Sequence, residues 1–339
     1  MKKSTYLAGL AAFGIAIQAS SARAVVLEQK WTAGQKLSYQ TALDGTMNVQ
    51  VPPGVNFPLA GIPLEVEVSG SGVAHLKIVS VDPNGVGTLV MSVPDFDLKA
   101  QVLGQKSRVT LKEKSIAVSI NGQPVKLGDG KTPLVNPLGD PQVALRVSRQ
   151  GRFLGVQPLQ PKTAPATKNE ADNPGKPVAP GAAINRSALL MASLIRALPT
   201  LWPGRDVQIG EKWKSEISLP IPSRTDPKTL VPTQFGAYNW TLKGLEILGG
   251  KALQRVGVTG EFNVDSTQFQ PGDAKTDAKN PRGVAQQTVS GDVWLDARAG
   301  QIERAELVLG ARVEGGQTAK AQGFADFTGT LQINLKNAA

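Results

Sequence analysis

The chain has 339 residues, no cysteine, one histidine and a formal charge of +10. Without cysteine there are no disulfides, thiolate metal sites or thiol nucleophiles, and a single histidine rules out a histidine-cluster zinc site and a triad with a spare imidazole. The positive excess is scattered along the chain, unlike the basic stripe interleaved with aromatics that a nucleic-acid reader carries.

The first residues read as a secretion signal. Lys2 and Lys3 supply a positive start, "TYLAGLAAFGIAIQA" a short apolar core, and Ala22, Arg23 and Ala24 a small-x-small cleavage site. The apolar run is shorter than the roughly 20 residues of a spanning helix, and no later segment is long enough. Lys2, Lys3 and Arg23 are the basic residues of this segment and it holds no acid, so removing it takes the charge from +10 to +7. No cysteine follows it to take a lipid. Export without disulfides points to a periplasmic or secreted bacterial protein, cleaved after Ala24.

Residues 25–157 read as a first β unit. "LEVEV" sets Leu64, Val66 and Val68 against Glu65 and Glu67, and "SIAVSI" alternates Ile116, Val118 and Ile120 with small residues. This is the period of half-buried antiparallel strands. "DPNG" at Asp82 and "NG" at Asn121 mark turns. Residues 158–183 are rich in Pro, Ala and charge and have no aromatic, which predicts a flexible linker. "INRSALLMASLIRALPTLWP" then predicts an amphipathic helix. Ala188, Met191, Ile195 and Leu198 share its apolar face, Asn185 caps it and Pro199 ends it. This helix and a second β unit occupy 184–339. There "RVGVTGEFNV" alternates on Val256, Val258, Phe262 and Val264, and "FTGTLQINLK" on Phe327, Leu331, Ile333 and Leu335. "GG" at Gly249 marks a further turn.

The two units repeat each other in outline. "TAGQKLSYQ" from Thr32 parallels "QIGEKWKSE" from Gln208, and "LKIVSVDPNGVGTLV" from Leu76 parallels "LKGLEILGGKALQRV" from Leu242. "RVSRQGRFLGV" from Arg146 parallels "WLDARAGQIERAEL" from Trp294. A glycine (Gly151 or Gly300) lies between strand-like runs each time, so "DARAGQI" reads as a hairpin turn and as scaffold. By alternation Asp292, Trp294 and Asp296 share one strand face, opposite Val289, Val293 and Leu295. The predicted fold is mainly β: two similar curved antiparallel sheets, half-barrel or sandwich-like, with one connecting helix.

The stretch "LPTLWPGRDVQIGEKWKSEISLP", with Gly210, Glu211 and Trp213, resembles a junction in a family of secreted, duplicated bacterial β-proteins of uncharacterised function. The resemblance covers the C-terminal unit and implies no activity. More distantly, a curved sheet carrying a helix is similar to the half-barrel carriers that ferry lipoproteins and lipids across the periplasm, a likeness of fold alone.

Signals for chemistry are sparse. His75 falls with Lys77 on a polar strand face. "GDGKT" (Gly128–Thr132) mimics the end of a phosphate loop, but Val125 stands where the loop needs glycine. "DPNG" lacks the further acids of a calcium loop. "PDFD" aligns Asp95 and Asp97 as a glycosidase pair would, and equally as solvated edge residues. No catalytic residue, metal site or cofactor is assigned. The expected function is a non-catalytic exported protein that binds a lipid or other apolar ligand, with Val66, Val118, Phe262 and Leu331 as lining. An envelope protein or an anionic polymer is the expected alternative partner, and nucleic acid is not expected. The mature chain is not expected to be an integral membrane protein. The rival functions are an envelope-interaction module, a carboxylate hydrolase and an outer-membrane barrel. The barrel ranks last, because the mature chain has few aromatics for girdles and "KNAA" makes a poor final strand. Intact mass of the exported protein tests the signal: the expected N-terminus is Val25, and retained residues before Ala24 contradict it.

Overall fold

A computed structural model describes residues 24–51, 60–125, 136, 139, 143–159, 201–222, 230–265, 284–316 and 322–336. Apart from Ala24, Pro158 and Leu159, the predicted signal and linker lie outside these residues, as do the predicted helix up to Pro199 and the "GDGKT" stretch. The described chain is β throughout. Its strands are β1 (Val25–Leu27), β2 (Lys36–Gln50), β3 (Pro63–Val81), β4 (Gly87–Val102), β5 (Gln105–Lys112), β6 (Ser115–Ile120), β7 (Gln123–Pro124), β8 (Val143–Val147) and β9 (Phe153–Pro158). The second half supplies β10 (Arg205–Val207), β11 (Lys212–Pro222), β12 (Leu230–Leu248), β13 (Lys251–Asp265), β14 (Val284–Asp296), β15 (Gln301–Gly316) and β16 (Gln322–Lys336).

Fourteen strands form one antiparallel sheet in the order β11-β12-β13-β14-β15-β16-β2-β3-β4-β5-β6-β7, with β8 on the start of β4 and β9 on β8. The two expected sheets are therefore one. The joint is β16 against β2, in register from Phe324↔Gln50 to Lys336↔Ser38. The sequence could not reveal this. Alternation fixes which side chains share a face, and two strands far apart in sequence that both alternate are free to pair. β1 and β10 form a separate two-stranded clasp, Val25↔Val207 to Leu27↔Arg205.

The turns follow their sequence signals. The Asp82 carboxylate accepts the Asn84 and Val86 amides at 2.9 Å each, and Gly85 takes φ 76°. Asn121–Gly122 and Gly249–Gly250 all have positive φ, as two-residue hairpins with a right-handed twist require. The repeated "G-Q/E-K" anchors also fold alike. Gly34 donates to Ile78 O and Ile78 to Gln35 O, while Gly210 donates to Leu242 O and Leu242 to Glu211 O. Gly34 and Gly210 share φ near 84° (83° and 85°). At Glu211 the carboxylate accepts the Gln208 amide at 2.9 Å and pairs with Arg205. The amide bond first, and the guanidinium second, hold it below the usual carboxylate range.

The packed core lies at one end of the sheet. One cluster joins Trp240, Leu242, Val256, Val258, Val293, Leu295 and Ala305 to Leu27, Val207, Leu201 and Trp202. The other joins Leu37, Ile78 and Leu89 to Leu145 and Val147. The clasp and the β8–β9 hairpin thus cover the sheet where β2, β4 and β15 begin and β3, β14 and β16 end.

Glycine sits inside several long strands, where it normally weakens a strand. Gly45 and Gly329 are cross-strand partners. A Cβ on Gly45 would lie 2.5 Å from Thr328 O and 2.8 Å from the Phe327 ring, and one on Gly329 would lie 2.5 Å from the same ring. Phe96 covers Gly72 in the same way, 2.5 Å from a built Cβ. Each ring lies over a bare backbone, which supplies the packing that glycine lacks. Gly45→Val is expected to lower stability by about 1–3 kcal/mol through overpacking against backbone. Urea denaturation monitored by circular dichroism checks this, and an unchanged midpoint contradicts the close approach.

Candidate functional site

The register divides the sheet into two unlike faces. Across eleven strands, from β11 to β6, one row reads Trp213, Trp240, Val258, Gly291, Leu307, Leu331, Leu43, Gly70, Leu98, Val109, Val118. Every member is apolar or glycine. The adjacent row on the other face reads Lys214, Asn239, Thr259, Ser290, Val308, Thr330, Asp44, Ser69, Lys99, Arg108, Ser119. Val308 is its one apolar member.

The four residues expected to line a cavity all lie on the apolar face. Leu331 and Val118 belong to the row above. Val66 and Phe262 belong to a parallel row four residues further from the clasp, through the pairs Phe262↔Gln287, Phe327↔Met47 and Met47↔Val66. The surroundings differ. Phe262 packs against the first core cluster, while Val66 is buried outside both clusters. Val68, Met47, Leu98, Leu309 and Phe327 continue the apolar face away from the clasp, beyond both clusters.

The polar face is tied by ion pairs. Asp97 accepts from Arg108 at 2.5 Å and from Thr110 at 3.2 Å, and Asp95 accepts from Lys112 at 2.8 Å. The two carboxylates considered as a hydrolytic pair are thus each held by a basic neighbour. Among the described residues no cluster of three or more His, Asp or Glu is arranged to hold a metal.

The densest polar group surrounds Trp294. Arg255, Trp294 and Arg304 stand in one cross-strand row on β13, β14 and β15. The guanidinium carbons of Arg255 and Arg304 lie 5.5 Å and 5.4 Å from the indole centroid. The indole N–H donates to Glu246 Oε2 at 3.0 Å. Asp292 accepts from Arg255 at 2.6 Å and from Lys243 at 2.5 Å, and Arg304 pairs with Glu306. A tryptophan only 5% exposed on the wet face is therefore roofed by cations. Sequence alternation placed Asp292 beside Trp294 but could not bring in Arg255 and Arg304, which arrive through the register. Asp296 stands at the start of the hairpin, where its carboxylate accepts the Arg298 and Ala299 amides at 2.9 Å, and the bulge across from it adds Glu303 to β15.

No family model matches the chain, and no curated protein does. Solved structures do. OccK7 (OpdD) from Pseudomonas aeruginosa is 8% identical, with 89% of this chain and 99% of that one covered and a TM-score of 0.24. OccK5 (OpdH) from the same organism is 8% identical over 89% and 98%, with a TM-score of 0.21. An outer membrane channel from Pseudomonas putida F1 is 5% identical over 91% and 97%, also with a TM-score of 0.21. At TM-scores near 0.2 these are general likenesses, and they carry no function over to this chain.

Three expectations are corrected here. The resemblance of the "LPTLWPGRDVQIGEKWKSEISLP" junction to a secreted duplicated family is withdrawn, since no family model matches the chain and the solved structures named above are outer membrane proteins. The reading as a soluble binder or carrier, with a lipid, envelope-protein or anionic-polymer partner, is withdrawn with it. The expectation that the mature chain is no integral membrane protein rested on helix length, on a poor last strand and on few aromatics for girdles. The first says nothing of strands. The second fails because β16 is a 15-residue strand in the middle of the sheet.

The Trp294 group yields a test of the polar face. Trp294→Ala is expected to cost about 3–5 kcal/mol, as loss of a buried tryptophan does. Chemical denaturation measures this, and a cost under about 1 kcal/mol would show that the cation roof carries no packing.

Proposed function

We propose that this chain is an exported bacterial protein that works as an integral outer-membrane β-protein, with its apolar face toward lipid and its polar face lining an aqueous passage. The observation that carries this reading is the clean separation of the faces over eleven strands. A membrane barrel alternates apolar-out and polar-in along every strand, and in lipid every backbone group must be paired within the sheet. The strands suit the task. A crossing takes about 9–11 tilted residues, and β2, β3, β4, β12, β13, β15 and β16 have 15 to 19. The surplus lies at the clasp end, where the core clusters already cover the apolar face. The stretch beyond them is the part that meets lipid. The reading requires the β11 edge to close against the opposite edge in the bilayer.

The sequence divides to match: a signal at 1–24, β units at 25–157 and 184–339, and a linker at 158–183. The paired anchors around Gly34 and Gly210 support an origin by duplication.

Reconstitution of residues 25–339 into phospholipid vesicles tests the proposal. The protein is expected to resist alkaline carbonate extraction and to conduct ions in a planar bilayer. Leu331→Arg, on the apolar face, is expected to weaken insertion by about 2–4 kcal/mol, while Thr330→Arg, its neighbour on the polar face, leaves it intact. A wild-type chain that is fully extracted, or two variants with equal effects, would overturn the proposal.

A further inference from the structure

The cations of the polar face are mostly neutralised. Lys99 and Arg108 pair with Asp97, Lys112 with Asp95, Lys243 and Arg255 with Asp292, Lys251 with Glu303, and Arg312 with Glu314 and Asp326. Lys106 and Lys214 of this face lack an ion pair singly among the described residues, and one neighbourhood gathers such cations together. At the clasp end of the polar face Lys36 stands directly opposite Lys77. Like charges placed so repel each other, and a sheet gains nothing by the pairing. The next row away from the clasp reads Lys336, Ser38, His75, Ser92 across β16, β2, β3 and β4. Two adjoining rows thus gather three ammonium groups, one imidazole and two hydroxyls, with no carboxylate among them. Lys36, Lys77, His75 and Lys336 are all exposed, and no ion pair ties any of the three lysines to an acid among the described residues.

We infer that Lys36, Lys77 and Lys336, with His75, Ser38 and Ser92, form a binding site for a phosphate-type oxyanion on the polar face. The chemistry suits such a guest. Directly opposite side chains on a sheet have Cβ atoms about 4.5–5.5 Å apart and diagonal ones about 7–8 Å. Flexible lysine stems spanning those separations can converge on one small anion. A dianion between Lys36 and Lys77 turns their repulsion into two attractions, and the hydroxyls and imidazole supply further donors to its remaining oxygens. A chloride ion carries a single charge and lacks the several acceptor oxygens, so the site discriminates by charge and shape. The inference needs only that this face is wet. If the sheet lines a passage, the site stands at its clasp end and favours anionic solutes carrying phosphate.

The chain's one histidine makes the test direct, because it gives a single imidazole signal. Residues 25–339 without a histidine tag are labelled at histidine and titrated with inorganic phosphate at fixed pH, with chloride at matched ionic strength as reference. The expected result is a saturable shift of the His75 signal with phosphate, reduced at least tenfold in apparent affinity in the Lys36→Gln/Lys77→Gln variant and unchanged in Lys106→Gln. Lys106 is a distant lysine on β5. A phosphate response no larger than the chloride response overturns the inference, as does an equal loss in the Lys106→Gln control. The measurement is made in solution or detergent, so it stands apart from vesicle insertion: either can fail while the other holds.

Discussion

The structure depends on one constraint, the period-two alternation of side chains along paired strands. Successive residues point to opposite faces, so a slip of one residue in any strand would send its apolar set to the wet side. Here the constraint runs through ten strand pairings in succession. Trp213 on β11 and Val118 on β6 share a face only because every register between them agrees. The central pairing, β16 with β2, matters most. It joins the halves with Leu331 opposite Leu43 and Ile333 opposite Thr41, and without it the molecule would be two sheets with two additional open edges.

The same alternation sets where packing energy is spent. At the clasp end the apolar face is covered, and Trp240, Leu242, Val256 and Leu295 are almost wholly buried. Away from the clusters, Met47 on β2, Val68 on β3, Leu98 on β4 and Leu309 on β15 are only half-buried. Burial of apolar surface stabilises by about 25 cal/mol per Å², so the half-covered part represents a gain still to be made by contact with something apolar. A bilayer supplies it over a broad area. The glycines fit this view. Gly45, Gly329 and Gly72 receive aromatic rings from their own sheet, so those rings lie along the surface and do not reach across to a second layer.

Much of this was legible in the sequence. The strands around Leu64–Val68, Ile116–Ile120, Val256–Val264 and Phe327–Leu335 were given by alternation, and the turns at Asp82, Asn121, Gly249 and Gly300 by residues that tolerate positive φ. The face of Val66, Val118, Phe262 and Leu331 was legible for the same reason. What alternation cannot encode is which strand neighbours which. The joining of the halves therefore stayed hidden, and with it the row Arg255–Trp294–Arg304 and the opposition of Lys36 to Lys77. His75 looked like a lone solvent-facing residue because its neighbours, Ser38, Ser92 and Lys336, come from three other strands.

The most direct test of the two-faced sheet in lipid uses the absence of native cysteine. Single cysteines placed in turn at positions 327–334 of β16 and spin-labelled can be read in vesicles for collision with oxygen, which concentrates in lipid, and with a water-soluble nickel complex. The account predicts a period of two: 327, 329 and 331 accessible to oxygen, 328, 330, 332 and 334 to nickel, with 333 shielded by the core cluster it packs against. Uniform nickel accessibility, or an absence of period, would contradict it.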